Sequence, residues 1–297
     1  MGLPKGLLFH VKHFLARHFS NDKACAIMRE QTSREEKRLV MGKMIAVAIR
    51  KGGVGKTTTA VNLGAELGHH NKKTLLVDFD PQGNATSGCG VPKKGQRYSV
   101  YDLLVGNCAA EQAIVSTNYK MFDLIPSNES LAGAEVELVG QQERTSVLRK
   151  ALLPIKSQYD YILIDCPPSL GLLTLNALTA CDSFLVPIQC EYYALEGLSE
   201  LMETVRMVKR LYNPTIALEG VLLTMYDGRL NLTMQVADEI KKYFPKKVYK
   251  TVIPRTIRLS EAPSFGEPAL YYDRNSKGAR AYESLAKELI KNNRRWS

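Results

Sequence analysis

A short run of glycines, lysines and threonines near residue 50 has the composition and spacing of a phosphate-binding loop. An apolar run, 44–49, precedes it and a stretch of helical periodicity, 59–67, follows it. Closely spaced glycines let backbone N–H groups converge on phosphate oxygens, and a helix N-terminus adds partial positive charge there. The pattern predicts a P-loop in which Lys56 reaches the β- and γ-phosphates and the Thr57 hydroxyl ligates Mg²⁺. The nucleotide-binding residues predicted in this loop are Lys51, Gly52, Gly53, Val54, Gly55, Lys56, Thr57 and Thr58.

Acidic residues follow two other apolar runs. Asp78 and Asp80 come at the end of the run 74–77, and Asp165 comes directly after 161–164. In a parallel sheet, ligands bind at the carboxyl ends of the strands, so these carboxylates lie near the P-loop if their strands are close to it. Asp165 has the Walker B arrangement and is predicted to hold Mg²⁺ through a water, since Mg²⁺ keeps several waters in proteins.

The glycine-rich loop carries a second lysine. The residue five positions before Gly55 is Arg50 instead of the usual glycine, and Lys51 follows it. Lys51 to Thr57 resembles the deviant Walker A loop of the ParA/MinD ATPase superfamily. That resemblance implies that Lys51 crosses a dimer interface to the nucleotide of the partner subunit, so that two ATP molecules are sandwiched in a homodimer.

Further segments resemble the switch regions of this superfamily. Residues 78–84 resemble switch I, which implies that Asp80 orients the attacking water or acts as base, and 167–171 resemble switch II. The catalytic residues implied are therefore Lys51, Lys56 and Asp80, with Thr57 and Asp165 on the metal. Because the chain shows no obvious strong base or internal arginine finger, we expect a slow ATPase on its own.

Longer matches, 189–197 and 258–264, resemble the chromosomal ParA subgroup often called Soj. This resemblance implies non-specific binding of double-stranded DNA by the ATP-bound dimer through Arg229 and Arg258. It also implies a ParB-type centromere-binding partner that stimulates hydrolysis, and a cytoplasmic, nucleoid-associated protein. Pro254 and Thr256 are implied to flank the adenine, although the family commonly has Asn where this chain has Thr256. Whether the cargo is a chromosome or a plasmid stays open, as does any role in replication or transcription control.

The C-terminal end of the chain and its cysteines bear on two alternative functions. A MinD-like membrane-associated ATPase is the second hypothesis, because apolar residues recur at helical spacing between Tyr282 and Ile290 and Trp296 follows two arginines. A core-packed terminal helix explains the same spacing. An iron–sulfur carrier ATPase is disfavoured because none of the six cysteines forms a Cys-x-x-Cys pair.

Alternating strand and helix patterns predict one doubly wound α/β domain, a mostly parallel sheet with helices on both faces in three layers. We assign residues 41–297 to this single P-loop ATPase domain. Residues 1–40 contribute +4 of the net charge of +10 and read as a basic extension. That extension is interpreted as a dispensable segment before a true start at Met41, as an arm that contacts DNA or a membrane, or as a structured cap. The basic balance is compatible with an anionic partner but does not establish one.

Overall fold

The structure is a computed structural model that describes residues 42–191 and 194–294. Eight strands form one sheet within these residues. The strands are β1 (Lys43–Val47), β2 (Thr74–Asp78), β3 (Val115–Ser116), β4 (Phe122–Ile125), β5 (Tyr161–Asp165), β6 (Ser183–Gln189), β7 (Ala217–Tyr226) and β8 (Val248–Pro254).

The strand order across the sheet is β3-β4-β2-β5-β1-β6-β7-β8. Every neighbouring pair is parallel except β3 with β4. Strand β5 lies between β1 and β2, so the end of β5 is flanked by the P-loop on one side and by the acids after β2 on the other. The predicted doubly wound, mostly parallel sheet is confirmed.

Helices cover both faces of the sheet, which is why the central strands are buried throughout their length. The α-helices are α1 (Lys56–His69), α2 (Asn84–Gly88), α3 (Val100–Val105), α4 (Ala110–Ala113), α5 (Leu131–Glu137), α6 (Val147–Leu152), α7 (Leu172–Ala180), α8 (Ala194–Leu211), α9 (Asn231–Tyr243), α10 (Ile257–Glu261), α11 (Ala269–Tyr272) and α12 (Lys277–Asn292). Two clusters of buried apolar side chains, one on each face of the sheet, form the core.

One predicted helix was wrong in its bounds. The sequence predicts a helix over 143–156, whereas α6 begins at Val147 and a 3₁₀ segment, Leu153–Gln158, follows it. Glu143 has a positive φ of 61° and therefore cannot start the helix. Pro154 lacks the backbone N–H that an α-helix needs at that point, so the last turn tightens.

The C-terminal helix α12 is part of the core. Its apolar side chains Tyr282, Leu285, Ala286 and Leu289 are buried, and the helix packs on α1 and β8. The core-packed interpretation of this spacing is therefore confirmed, and the same residues are not available to anchor a membrane. Trp296 and the extension 1–40 lie outside the described residues. Within the described part of the chain, no helix is both long and apolar enough to cross a bilayer.

Helix α1 approaches the sheet so closely that only glycine fits at one position. A Cβ added at Gly64 would lie 2.5 Å from the Phe122 ring in β4, far inside contact distance. This close approach holds α1, and with it the P-loop at its N-terminus, against the sheet.

Candidate functional site

The P-loop connects β1 to α1 with backbone conformations that favour glycine. Gly53 and Gly55 have φ values of 72° and 88°, in the left-handed region. A Cβ at Gly52 or Gly53 would meet no atom within 4 Å, so the loop borders open space. Lys56 is 7% exposed, and its Nζ donates to the Lys51 carbonyl oxygen at 2.8 Å across the loop. Burial lowers the pKa of Lys56, while Asp165 and Asp80 favour its charged form.

A threonine from β7 supports the loop from below. Thr224 is buried, and its hydroxyl donates to the Val54 carbonyl oxygen at 2.8 Å. Because this carbonyl is held toward the sheet, the peptide groups around it keep a fixed orientation. No role was predicted for Thr224, although it directly follows the apolar residues 221–223, as the acids follow their apolar runs.

Two carboxylates lie side by side next to the loop. Asp78 and Asp165 are register partners on β2 and β5, and both are fully buried. Asp78 accepts hydrogen bonds from the Thr86 backbone N–H at 2.7 Å and the Thr86 hydroxyl at 2.6 Å. Burial raises the pKa of Asp78 to about 6, and the Thr86 hydrogen bonds oppose the increase.

Asp165 differs from Asp78 in that neither of its carboxylate oxygens accepts a hydrogen bond of normal geometry among the described residues, although the Thr57 hydroxyl lies close enough to lower its pKa. Burial raises the pKa of Asp165 well above its ordinary value, and Asp78 adds to the increase. The Thr57 hydroxyl and the Lys56 ammonium group oppose it without compensating it. A buried carboxylate without partners needs a compensating cation or donor, and the donor set of carboxylate and hydroxyl oxygens suits Mg²⁺. The residues present therefore fit a magnesium-bound nucleotide.

Asp80 follows Asp78 at the same sheet edge and is 9% exposed. Its Oδ1 accepts from the Gln82 N–H at 3.0 Å, and its carbonyl oxygen accepts from the Ser127 hydroxyl at 2.8 Å. These two bonds hold the segment after β2 in one conformation. The charge of Asp80 acts to raise the pKa of Lys56, so Asp80 lies in the same electrostatic environment as the loop.

A pocket of about 330 Å³ opens beside the C-terminal part of the P-loop, and its lining includes Thr58, Thr224, Met225, Pro254 and Thr256. This volume is in the range of small-molecule sites. Met225 has a φ of 48°, a strained conformation for a non-glycine residue that occurs preferentially at functional sites. The Thr256 hydroxyl oxygen accepts from the Leu259 N–H at 3.4 Å and so caps α10.

Both cations that begin the loop pair with acids in or near α8. Lys51 Nζ lies 2.9 Å from Glu191 Oε2, and Arg50 pairs with Glu200. Glu191 lies in the 189–197 match but was not predicted to have a role. Such a pairing depends on where α8 packs, which the local sequence does not encode.

The two predicted DNA-contacting arginines lie at the same edge of the sheet as the P-loop. Tyr226 at the end of β7 is the register partner of Pro254 at the end of β8. Arg229 comes three residues after Tyr226, and Arg258 comes four residues after Pro254. Their side chains are 89% and 53% exposed. The topology thus brings both arginines to one exposed corner.

Comparison with known proteins agrees with this geometry. A family described as an AAA domain matches residues 42–218. The sporulation initiation inhibitor protein Soj of Bacillus subtilis is 58% identical over 252 residues, which cover 85% of this chain and all of that protein. The chromosome partitioning protein ParA of Myxococcus xanthus is 51% identical over 251 residues, 84% of this chain and 89% of that protein.

Among solved structures, cobyrinic acid a,c-diamide synthase from Mycobacterium smegmatis with bound ADP and magnesium is similar, with a TM-score of 0.75 and 37% identity. The match covers 86% of this chain and 96% of that one. Identity is much higher with Soj and ParA than with the synthase. The chain therefore belongs to the ParA/Soj family of chromosome-partitioning ATPases.

Proposed function

We propose that this chain uses ATP and Mg²⁺ to switch between a monomer and a DNA-binding dimer, and that a ParB-type partner stimulates its slow hydrolysis. The observation that carries the proposal is the fully buried Asp165 carboxylate, which has no hydrogen-bond partner among the described residues and lies by Thr57 and Lys56. In a protein whose relatives include chromosome-partitioning proteins, the Mg²⁺ ion that accompanies a bound triphosphate would supply the missing positive charge.

Different residues of the site bind the phosphates, the metal, the attacking water and the adenine. The backbone N–H groups of 52–57 and the Lys56 ammonium group bind the phosphate oxygens, and Thr57 and Asp165 hold the metal. Mg²⁺, when bound, supplies neutralisation of the charge that develops on the transferred phosphoryl group. Asp80 orients the attacking water, since hydrogen bonds with Gln82 and Ser127 hold its segment and its charge acts on Lys56. Pro254 and Thr256 line the pocket proposed for the adenine.

Lys51 is the residue on which the proposed dimer depends. Its ammonium group pairs with Glu191 within the chain, and the side chain is 29% exposed. A lysine at the rim of the loop can exchange an exposed carboxylate for the more highly charged phosphates of a facing subunit. Hydrolysis by the protein alone is proposed to be slow, because the other groups at the site position water without removing its proton efficiently.

DNA binding follows from dimer formation. Each subunit presents Arg229 and Arg258 at one exposed corner, and two such corners acting together raise the avidity. Phosphate contacts carry no base sequence information, so binding is non-specific and weakens steeply with salt. We propose that the resulting protein is nucleoid-associated.

The test compares the full chain with Lys51→Ala and with Lys94→Ala, an exposed lysine far from the loop in sequence. Self-association is measured by analytical ultracentrifugation with and without ATP and Mg²⁺. ATPase rates are measured alone, with random-sequence duplex DNA, and with DNA plus the ParB-type protein. The full chain and Lys94→Ala should dimerise with ATP and show faster turnover with DNA and the partner, whereas Lys51→Ala should do neither.

Nucleotide-dependent dimers of Lys51→Ala with unchanged catalysis would falsify the sandwich. Rapid turnover by the full chain alone would contradict the slow, partner-stimulated ATPase. Sedimentation with anionic liposomes, set against a DNA shift assay, separates the MinD-like alternative. ATP-dependent sedimentation with liposomes and no DNA shift would favour that alternative.

A further inference from the structure

Each of the two arginines proposed to contact DNA is already engaged by acidic side chains of its own subunit. Arg229 forms a two-point ion pair with Asp227: Nε lies 2.9 Å from Oδ1 and Nη2 lies 2.7 Å from Oδ2. The Arg229 backbone N–H also donates to Asp227 Oδ1, at 3.1 Å. The hydrogen bonds from Arg229 lower the pKa of Asp227 to about 2, so Asp227 is ionised at neutral pH.

Arg258 is held by two acids. Its Nη1 lies 3.0 Å from Glu261 Oε2 and its Nε lies 3.3 Å from Asp273 Oδ2. The guanidinium carbon also lies 5.9 Å from the centroid of the Tyr272 ring, and the Tyr272 hydroxyl donates to Glu261 at 3.3 Å. Three carboxylates therefore accompany two arginines at this corner of the molecule.

We propose, on the basis of the proposed DNA-binding function, that three acids compete with DNA phosphate for Arg229 and Arg258. These acids are Asp227, Glu261 and Asp273. The partner of this surface is a polyanionic duplex that is bound weakly enough to be released. The three acids therefore set the affinity and the salt dependence of DNA binding.

Two effects of these acids oppose each other. A carboxylate that holds a guanidinium reduces the side-chain entropy lost when the arginine meets a phosphate, which favours binding. The same carboxylate uses part of the donor fork and repels the phosphate, which disfavours binding. The two-point pairing of Arg229 occupies the side edge of the fork, which is Nε–H and one N–H of Nη2, so the phosphate cannot take that edge without displacing the acid. We infer that competition outweighs positioning.

Ion counting distinguishes the two effects. When an arginine leaves its carboxylate for a phosphate, the DNA releases a counterion but the freed carboxylate attracts a cation from solution. The net number of ions released is then smaller than the number of phosphates neutralised. Replacing a competing acid by its amide should therefore steepen the plot of log K against log salt, by up to about one unit per arginine released. Loss of mere positioning would leave that slope unchanged.

The experiment uses the full chain with ATP and Mg²⁺, and measures binding to fluorescent random-sequence duplex DNA by anisotropy at several KCl concentrations. The variants are Asp227→Asn, Glu261→Gln, Asp273→Asn and the triple variant, each of which keeps a side-chain oxygen as acceptor. Asp238→Asn is the matched control, because Asp238 is an exposed acid paired with Lys241 at 3.5 Å and changes the net charge equally. ATP binding is measured in parallel.

We expect each amide variant to bind DNA roughly two- to fivefold more tightly than the parent and with a steeper salt slope, the usual scale for exposed ion pairs. Asp238→Asn should give less than half of that gain and no change in slope. Weaker binding with an unchanged slope, or a gain equal to that of Asp238→Asn, would overturn the inference while leaving the proposed function intact. A folding defect cannot mimic tighter binding, and the single variants remain informative if the triple variant loses ATP binding. No DNA binding by parent and variants alike would refute the proposed function, and this inference with it.

Discussion

At the scale of single residues, the site is organised by which buried polar groups are satisfied and which are not. Asp78 and Asp165 occupy equivalent places on adjacent strands, yet Thr86 satisfies only Asp78. Asp165 is left for a ligand, and Lys56 is held nearby by the Lys51 carbonyl. The burial of the Asp165 carboxylate favours a bound cation, such as the Mg²⁺ ion that accompanies a nucleotide.

Thr224 is the residue whose role is most open to a direct test. In Thr224→Val the shape is kept, but the buried Val54 carbonyl loses its 2.8 Å hydrogen bond. An unpaired buried carbonyl costs about 1–3 kcal/mol, so the loop should move to find another donor. We expect the affinity for ATP and Mg²⁺ to fall about 5- to 50-fold, measured by calorimetric titration.

Thr224→Ser is the control, because it keeps the hydroxyl and loses only a methyl group. It should bind ATP within about threefold of the parent, the effect of one methyl contact. Equal affinity of Thr224→Val and the parent would mean that the loop keeps its shape without this bond.

The sequence predicted these residues unevenly, for a physical reason. Lys56, Thr57 and Asp165 could be predicted as site residues because a phosphate site needs specific residue types directly after apolar strands. No role was predicted for Glu191, because its role depends on a contact with Lys51, which is 140 positions away in the chain. Pairings between surface side chains of distant segments leave no local pattern to detect.

At the scale of elements, the strands were predictable and their order was not. A strand buried on both faces is typically a short run of Val, Ile and Leu. Seven strand candidates read from the sequence matched strands of the sheet: 44–49, 74–77, 122–125, 161–164, 184–188, 218–223 and 248–253. Strand β3, two residues long, was too short to give a pattern. That β5 lies between β1 and β2 follows from long-range pairing, which no single run specifies. The sequence could therefore predict that Asp165 lies near the P-loop only on the condition that β1 and β5 are neighbours in the sheet.

The contact between α1 and α12 contains a buried carboxyl that should make stability depend on pH. Glu66 in α1 is 1% exposed, and its Oε2 has no hydrogen-bond partner within the described residues. Burial raises the pKa of Glu66 to about 7, Glu283 in α12 adds to the increase, and Arg274 and Lys287 oppose it. The neutral form is therefore favoured in the folded protein.

The sign follows from proton binding. Between the unfolded pKa of about 4.5 and the folded value of about 7, the folded state binds more protons, so the free energy of unfolding decreases as pH rises. Glu66→Gln imitates the neutral form and should raise the free energy of unfolding by about 1–3 kcal/mol at pH 8. The measurement is urea denaturation at pH 4.5 and pH 8 without nucleotide. The gain should nearly vanish at pH 4.5, and an equal gain at both values would exclude the titration of Glu66 as its cause.

At the scale of the whole molecule, the proposed sites for nucleotide, metal and DNA share one edge of one sheet. The P-loop follows β1, the acids end β2 and β5, and the two arginines follow β7 and β8. A facing subunit that meets this edge would cover both nucleotides, and each subunit would contribute its own arginines to the dimer. Under the proposed function, this arrangement would link ATP binding to DNA binding through the dimer.

A chain that lacks residues 1–40 would test what this extension contributes. The described residues from Gly42 onward bury both faces of the sheet, and the match that covers all of Soj needs only 252 residues of this chain. We therefore predict that a chain beginning at Met41 keeps its ATPase rate and its ATP-dependent dimer.

The loss of +4 in charge should lower DNA affinity only slightly if the extension does not touch DNA. Anisotropy titrations over a range of KCl decide this: parallel salt plots would mean a dispensable segment, whereas a slope shallower by several units would mean that the extension is an arm that neutralises phosphates. Loss of both ATPase activity and dimer formation would instead make the extension a structural part of the domain.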